Sequence, residues 1–355
     1  MCIRDRQWNL SVQQQLSNET TFQIGYVGQR GAHLVVPEII TQRELAAPGS
    51  CPPTTPASPC VGTPGPFFAG NPALRDEITG GTGTFSGLPA ALATFSGANQ
   101  AYNALQATLQ KRFSNGLQGQ VAYTYSKCMT DATGYFGGGW GGTQTSLPAS
   151  FWQNIYDRKA EWGPCYFDQT HILSAYANYQ LPFGHGKKMG ANMSRVANAI
   201  VGGWEVSPII SLHSGNAMTA GLAFFDNSGT GGAGPFGFAR PDCGGAPSYP
   251  KTHLTGSQTG IQWVDPSAFV VPDLNTFGDC HNGSVRGPTL AQVDLGVHKE
   301  FAISESKGFE FRSEFINLFN HPILNAPNML LGSTFGQITT GQGERNIQFA
   351  LKFHF

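Results

Sequence analysis

The sequence predicts an all-β protein, a portion of an antiparallel transmembrane β-barrel that is incomplete in this chain. Three observations lead to this prediction. Apolar and polar residues alternate in nine segments, the connections between the segments alternate between short and long, and charged residues are scarce. Asp, Glu, Lys and Arg make up only 12% of the 355 residues, whereas an average soluble domain contains about 25%.

The alternation is clearest in segment 117–127. Its odd positions are apolar or aromatic, as at Val121 and Tyr123, and its even positions are polar and uncharged, as at Gln118 and Gln120. A period of two places the two sets on opposite faces of a strand. Most predicted strands exceed the about 5–6 residues of a typical soluble strand and suit the about 9–11 residues of a tilted transmembrane strand. We predict strands at 8–16, 20–30, 102–113, 117–127, 169–183, 203–214, 290–303, 308–319 and 345–355.

The connections support a membrane barrel. Strands 1–2, 3–4 and 7–8 are joined by three or four residues, and strands 5–6 by the modest segment 184–202. The other connections are long: 31–101, 128–168, 215–289 and 320–344. Short periplasmic turns and long extracellular loops alternate in this way in outer-membrane barrels.

A lipid-facing surface also explains the missing charges, because a charged side chain costs about 2–4 kcal/mol at the membrane midplane. The inward face meets water or a plug, so it can carry Gln, Asn, Ser and Thr. Aromatic residues of such barrels form girdles at the two membrane interfaces. The residues expected there are Trp8, Tyr26, Tyr123, Tyr125 and Phe355.

Several other classes of protein find no support. The chain has no run of about 20 apolar residues for a spanning helix, and its net charge of −1 gives no sign of a nucleic-acid partner. The G-x-G-x-x-G pattern at 229–234 has no close preceding strand, and Pro235 follows it, so it does not suit a nucleotide. G-x-S-x-G and H-E-x-x-H motifs are absent. We therefore expect no enzymatic activity, no cofactor and no metal.

Three loop carboxylates near His171 are expected to form ion pairs with Arg158 or Lys159 rather than a catalytic group; they are Asp157, Glu161 and Asp168. Six of the seven cysteines fall into sequence-neighbouring pairs, which suggests loop disulfides in an oxidising compartment. Free thiols are the alternative, since connectivity cannot be read from sequence. The pairs are Cys51 with Cys60, Cys128 with Cys165 and Cys243 with Cys280.

Charged residues within strands are concentrated near the C-terminus. Six of them share the inward faces of predicted strands 7 and 8: Asp294, His298, Glu300, Glu310, Arg312 and Glu314. Cross-strand pairs there could meet an Arg or Lys of a plug domain, and the alternative is a solvated wall of the lumen. Asn317 interrupts the alternation, so we expect a bulge or the end of the lipid zone at that point.

Three stretches resemble a known family. They are GPCYFDQTH at 163–171 with YQLPFG at 179–184, FRSEFINLFNHP at 311–322, and RNIQFALKFHF at 345–355. Together, in this order, they resemble the C-terminal barrel of TonB-dependent outer-membrane receptors of the Oar-like group. The resemblance covers roughly the last 250 residues, and the earlier strands fit the same plan.

This resemblance implies an outer-membrane protein that binds an unidentified ligand outside the cell and imports it with energy supplied through TonB. TonB would act through a plug domain, which we expect to be absent here, as are the signal peptide and other N-terminal domains. Barrels of this family have about 22 strands. Residues 7–355 are therefore expected to be the C-terminal part of the barrel, and residues 1–6 a non-native start.

The remaining expected partners are outer-membrane lipid and the barrel-assembly machinery. The machinery would read the alternating terminal strand, whose signal residues are Phe349, Leu351, Phe353 and Phe355. Two alternatives belong to other classes of protein. One is a passive porin-like or structural barrel, and the other is a soluble secreted carbohydrate-binding β-protein. Loops rich in Gly, Ser, Thr and aromatic residues suit sugars and peptides equally.

Overall fold

The computed structural model describes residues 5–39, 42, 45, 92–132, 152–222, 228, 230, 239–255, 260–273, 275–303 and 307–355. Nine long strands in these ranges form one antiparallel sheet in which each strand pairs with the next in sequence. The strands are β1 (Arg6–Ser17), β2 (Thr20–Ile39), β3 (Leu92–Ser114), β4 (Leu117–Thr130), β5 (His171–Gln180), β6 (Trp204–His213), β7 (Leu290–Ala302), β8 (Gly308–Ile316) and β9 (Asn346–His354).

The all-β antiparallel prediction is confirmed, and each of the nine predicted segments overlaps one long strand. The sheet is open: within the described residues, β1 pairs only with β2 and β9 pairs only with β8. One end of the sheet carries the short turns, and we call it the short-turn end. The other carries the long connections, and we call it the long-loop end. A two-residue turn at the short-turn end, Asn115 (φ 51°) and Gly116 (φ 78°), joins β3 to β4, as in the Asn-Gly hairpins that match strand twist.

Two strands are longer than predicted by nine residues or more. β2 continues to Ile39 and β3 begins at Leu92, so this hairpin extends well beyond the rest of the sheet. The pairing shifts register between Ala32 and Leu34, where His33 has a φ of 59°. A bulge reverses which residues face each side, so the period of two is lost there.

Two strands are clearly shorter than predicted: β5 covers His171–Gln180 instead of 169–183, and β8 ends early. β8 ends at Ile316 rather than at residue 319, because Asn317 adopts a left-handed φ of 53°. The Asn317 side-chain amide donates to the carbonyl of His321 at 2.9 Å, and its side-chain oxygen accepts from the His321 N–H at 2.9 Å. The expected interruption at Asn317 is therefore the end of the strand.

The register aligns apolar side chains across the sheet. Leu10 lies opposite Tyr26, which lies opposite Leu105, which in turn lies opposite Tyr125. This apolar side, which we call the outer face, continues to the last pair of strands, where Phe309 lies opposite Phe353. The inner face carries the intervening residues and is predominantly polar.

The aromatic residues of the outer face lie toward both ends of the strands. Trp8, Tyr26, Tyr123 and Tyr125 lie toward the long-loop end, and Phe355 follows β9 at the short-turn end. The Tyr26 hydroxyl donates to the Asn103 side-chain oxygen at 2.6 Å. Hydrogen bonding of an aromatic polar tip is typical of residues that lie between an apolar phase and water.

The connections contain short elements. There is one α-helix, α1 (Arg195–Val201), within the described residues, and there are 3₁₀ turns at Arg158–Glu161 and Pro266–Ala268. Two-residue strands pair with one another or with β4. They are Gly163–Pro164, Ala217–Met218, Gly221–Leu222, Asp242–Cys243, Thr252–His253, Ile261–Gln262, Phe269–Val270, Val285–Arg286, Ile323–Leu324, Leu330–Leu331, Gln337–Ile338 and Gly341–Gln342.

Candidate functional site

The long connections fold together at the long-loop end. Their described residues, which we call the cap, are 152–170, 214–222, 239–255, 260–273, 275–289 and 317–345. Two-residue strands join the connection between β6 and β7 to the one between β8 and β9. The cap has a hydrophobic core of its own, formed by Met218, Ala220, Trp263, Val264, Phe269, Cys280, Val285, Met329, Phe335 and Ile338.

The cap packs on the inner face of the sheet. Near the end of β4 the inner-face residues Ser126, Cys128 and Thr130 are buried, whereas their outer-face neighbour Tyr125 is 49% exposed. The indole ring of Trp152 packs against Ala98 of β3. The cap therefore covers the inner side of the sheet at the long-loop end and leaves the outer side uncovered.

A buried ion pair holds two of the long connections together. Arg240 donates to both carboxylate oxygens of Glu161, at 2.5 and 3.2 Å, and the two side chains are 4% and 1% exposed. Asn282 donates to the same carboxylate at 3.0 Å, and the N–H of Gln153 donates to it at 2.9 Å. Such a set of hydrogen bonds is what allows a charge pair to be buried.

A third connection is attached to this network. Gln42, which lies between β2 and β3, donates from its side chain to the carbonyl of Gln153 at 2.6 Å and accepts from the N–H of Ile155 at 2.8 Å. Gln42 is fully buried. Three long connections are thus held in one arrangement by buried polar contacts.

Asp168 joins the cap to β4. Its carboxylate accepts from the backbone N–H of Cys128 at 2.7 Å and lies 2.8 Å from the guanidinium of Arg286. The expected pairing of the loop carboxylates with Arg158 or Lys159 is therefore wrong for Asp168, as it is for Glu161. The actual partners are far away in sequence, and no local pattern indicates them.

The remaining residues of the predicted ion-pair group near His171 make other contacts. Asp157 accepts from the N–H of Lys159 at 3.1 Å and caps the 3₁₀ turn that follows. Arg158 lies over the ring of Trp152, 4.7 Å from its centroid. His171 contacts the hydroxyl of Tyr123 at 2.7 Å.

Two disulfides stabilise the cap. Cys128 is joined to Cys165, with 5.4 Å between the Cα atoms, and this bond ties the cap to β4. Cys243 is joined to Cys280, with 5.0 Å between the Cα atoms, and this bond lies within the cap. The suggested pairing of Cys51 with Cys60 falls outside the described residues, as does nearly all of the glycine pattern at 229–234.

The cap and the strand ends enclose a cavity of about 400 Å³. Its polar lining is uncharged and includes Tyr166, Gln169, Asn216, Asn325 and Gln342. The Gln169 side chain donates to the Asn216 side-chain oxygen at 2.8 Å, which fixes both amides. The cavity offers amide and hydroxyl groups together with an aromatic ring, and it suits an uncharged polar ligand.

The six charged residues predicted to face inward share the inner face. His298 lies opposite Arg312, and Glu300 lies opposite Glu310. Arg312 forms an ion pair with Glu310 at 2.5 Å. The two remaining members of the set are Asp294 and Glu314. Asp294 accepts from the N–H of Asn317 at 2.7 Å and so secures the end of β8.

Three of these residues, His298, Glu300 and Glu310, border a second cavity, of about 620 Å³, at the short-turn end. Glu205 and His354 also line it, together with residues of the turn between β5 and β6 and with Trp204 and Lys299. Sequence reasoning missed Glu205 and His354. Their positions in alternating strands could have revealed them, since Glu205 lies opposite His298 in register.

Within the described part of the chain, no group of three or more His, Cys, Asp and Glu residues is arranged to hold a metal ion. In the same ranges, no helix has the length and apolar character needed to cross a membrane.

The terminal strand keeps its apolar side uncovered. Phe349, Leu351 and Phe353 are between 47% and 69% exposed, and Phe355 is 90% exposed. Phe353 packs against Phe309 of β8 with 5.0 Å between ring centroids. A row of large apolar side chains that is open to its surroundings indicates a surface that meets lipid or a partner.

The comparison with protein families agrees with this geometry. Residues 4–348 match the model of a family described as outer membrane beta barrel domain. The chain belongs to this family. The outer-membrane barrel therefore presents its outer face to lipid, its short turns to the periplasm and its long loops and cap to the exterior. It is located in the outer membrane.

Among solved structures, the outer-membrane barrel is similar to the outer membrane transporter YddB from Escherichia coli. The sequence identity is 7% and the TM-score is 0.44. The similarity covers 99% of this chain but only 32% of the YddB chain, so this chain spans about a third of the length of that protein. The comparison with curated proteins found no match.

Proposed function

We propose that the protein is a TonB-dependent outer-membrane transporter of the Oar-like group, and that residues 7–355 are the C-terminal part of its barrel. The observation that carries the proposal is the cap on the inner face. The buried Arg240–Glu161 pair holds two long connections together, and Gln42 attaches a third. One disulfide ties the cap to β4 and another lies within the cap. A passive pore needs an open mouth, whereas a receptor needs a preformed surface for its ligand.

The open sheet supports the presence of further strands in the intact barrel. Backbone groups at the free edges of β1 and β9 would be unsatisfied in lipid, so additional strands must pair with them. Barrels of about 22 strands enclose a lumen that is filled by a plug. The acidic side chains of Glu205, Glu300 and Glu310 at the short-turn end suit contacts with basic groups of such a plug.

The proposed role is binding and passage of a ligand rather than catalysis. We place the ligand at the cap, where the uncharged lining of the 400 Å³ cavity suits an oligosaccharide or a peptide. TonB, acting on the plug and driven by the proton-motive force, would release the ligand inward.

The test is an uptake experiment with radiolabelled oligosaccharides and oligopeptides in the source bacterium. We expect uptake of at least one probe to require this gene, and to stop when an uncoupler collapses the proton-motive force or when TonB is deleted. Uptake that needs the gene but survives both treatments would contradict TonB dependence. Planar-bilayer conductance of the full-length protein provides the control, because a passive porin conducts continuously and a plugged barrel does not.

The terminal strand is proposed to be read by the barrel-assembly machinery. Deletion of Phe355 in the full-length protein is expected to reduce the amount of folded barrel in the outer membrane, measured by heat-modifiable migration on gels. Deletion of a single residue from the cap surface provides the control for expression. Normal assembly without Phe355 would contradict this role.

A further inference from the structure

We propose that the turn between β5 and β6 is a membrane-interface foot, which binds the anionic phospholipid surface of the periplasmic leaflet through α1. The foot comprises residues 181–203. The proposal rests on membership of the outer-membrane family and not on TonB dependence.

The position of α1 is fixed by two outer-face side chains. Lys299 and Trp204 are cross-strand partners on that face. The Lys299 ammonium donates to the carbonyls of Gly202 at 2.6 Å and Ile200 at 3.2 Å, and the Trp204 indole N–H donates to Ile200 at 2.8 Å. The C-terminal end of α1 is therefore held by two side chains of the outer face.

Lys299 is unusual for its location. A cation on the outer face is unfavourable in lipid, yet this side chain is only 3% exposed. Its ammonium lies 5.0 Å from the ring centroid of Trp204 and 4.9 Å from that of Phe301. The charge is satisfied by the helix carbonyls, which carry partial negative charge. This explains why a lysine is tolerated within an apolar row.

The exposed surface of α1 is apolar. Val196 is 72% exposed, Ile200 is 65% exposed and Val201 is 41% exposed. These side chains continue the lipid-facing surface of the sheet at the short-turn end. Because the neighbouring outer face is in lipid, the surface that covers them is the same membrane.

The charge of the foot suits contact with an anionic phospholipid surface. Residues 181–203 contain no Asp or Glu. Lys187 donates to the inner-face residue Gln180 at 3.2 Å and lines the second cavity. The remaining basic or titratable side chains of the foot are exposed, and they are His185, Lys188 and Arg195. Apolar side chains among basic residues are typical of elements that lie in the headgroup region. Basic residues near an anionic membrane surface are attracted to it.

The test is photo-crosslinking of the full-length protein in outer membranes, with a benzophenone amino acid placed at one position at a time. Position 196 reports on the foot. Position 349, on the outer face of β9, is the positive control for membrane insertion. Position 271 is the matched negative control, because Val271 is 57% exposed but lies in the cap.

We expect phospholipid adducts, detected by mass spectrometry, at 196 and 349 but not at 271. Adducts at 349 without adducts at 196 would overturn the proposal, since the barrel would be inserted with its foot in water. The variant Lys299→Met tests the clamp. It is expected to lower the yield at 196 and leave the yield at 349 unchanged, and an unchanged yield at 196 would show that Lys299 does not hold α1 at the membrane.

Discussion

The sheet and the cap place the same residue types in opposite environments. Phe335 of the cap is 1% exposed and packs against Phe269, with 4.9 Å between ring centroids. Phe349 of the sheet is 69% exposed. The cap is stabilised as a soluble domain is, by removing apolar side chains from water. The sheet leaves them outside, because its surroundings are themselves apolar.

Ion pairs also differ in exposure between the cap and the sheet. In the cap, the Arg240–Glu161 pair is buried and fully surrounded by protein. On the inner face of the sheet, the Arg312–Glu310 pair has the same 2.5 Å separation but side chains that are 45% and 25% exposed. The cap therefore depends on a few specific contacts, whereas the sheet depends on backbone pairing and its lipid surroundings.

The largest expected effect comes from breaking the buried pair. Glu161→Gln is expected to destabilise the cap by about 3–5 kcal/mol, because Arg240 would remain buried without a counter-charge. Hydrogen exchange of cap amides would measure the loss, and sheet amides should keep their protection. Glu310→Gln, which breaks the exposed pair of equal length, is the matched control and should have a much smaller effect. If the two substitutions had equal effects, the proposed difference between the buried ion pair of the cap and the exposed ion pair of the sheet would be wrong.

A smaller effect is expected from removing a disulfide. Replacing both Cys243 and Cys280 by Ala should destabilise the cap by about 2–4 kcal/mol, since the bond closes a loop in the unfolded chain. Limited proteolysis of membranes should then cut within the cap and leave the sheet intact. The equivalent change at Cys128 and Cys165 should instead loosen the attachment of the cap to β4. Identical cleavage patterns for the two variants would contradict the assignment of one disulfide to the interior of the cap and the other to its attachment to β4.

The smallest expected effect is a pH dependence of the cap. The N–H of Ser267 donates to Asp265 at 2.9 Å, and this bond lowers the pKa of that carboxyl below its usual value. A carboxyl with a lowered folded pKa stabilises the cap above its unfolded pKa, and the contribution disappears as the pH falls through the folded value. In Asp265→Ala, the stability of the cap, measured by hydrogen exchange, should therefore change less with pH in the acidic range where this carboxyl titrates. Glu344→Ala is the surface control, and an unaltered profile for Asp265→Ala would contradict the prediction.

The sequence predicted the sheet well because periodicity reports faces directly. Leu117, Val121 and Tyr123 alternate with polar residues, and the structure places them on one side. The predicted strand bounds failed near His33, where a bulge removes the period of two, and at the end of β8. There the interruption at Asn317 was expected, but its side-chain hydrogen bonds end the strand before residue 319. Both failures are local departures from regular pairing.

The cap could not be predicted in the same way. Its strands have only two residues each, which is too short for any period. Glu161 and Arg240 are 79 residues apart in sequence, so nothing local indicates their contact. Lys299 lies in an apolar row of β7, and its partners belong to a helix whose position depends on the folded sheet. Such contacts arise from tertiary structure alone.

The most direct test compares two adjacent positions of β4 in the full-length barrel folded into lipid vesicles. Val121 lies on the outer face, where it is 42% exposed, and Ala122 lies on the inner face. Urea titration of Val121→Arg should show a loss of about 2–4 kcal/mol, the cost of a cation on the lipid side near the midplane. Ala122→Arg should have little effect, because its side chain would reach the lumen. Equal losses at both positions, or a greater loss at 122, would contradict the assignment of the two faces.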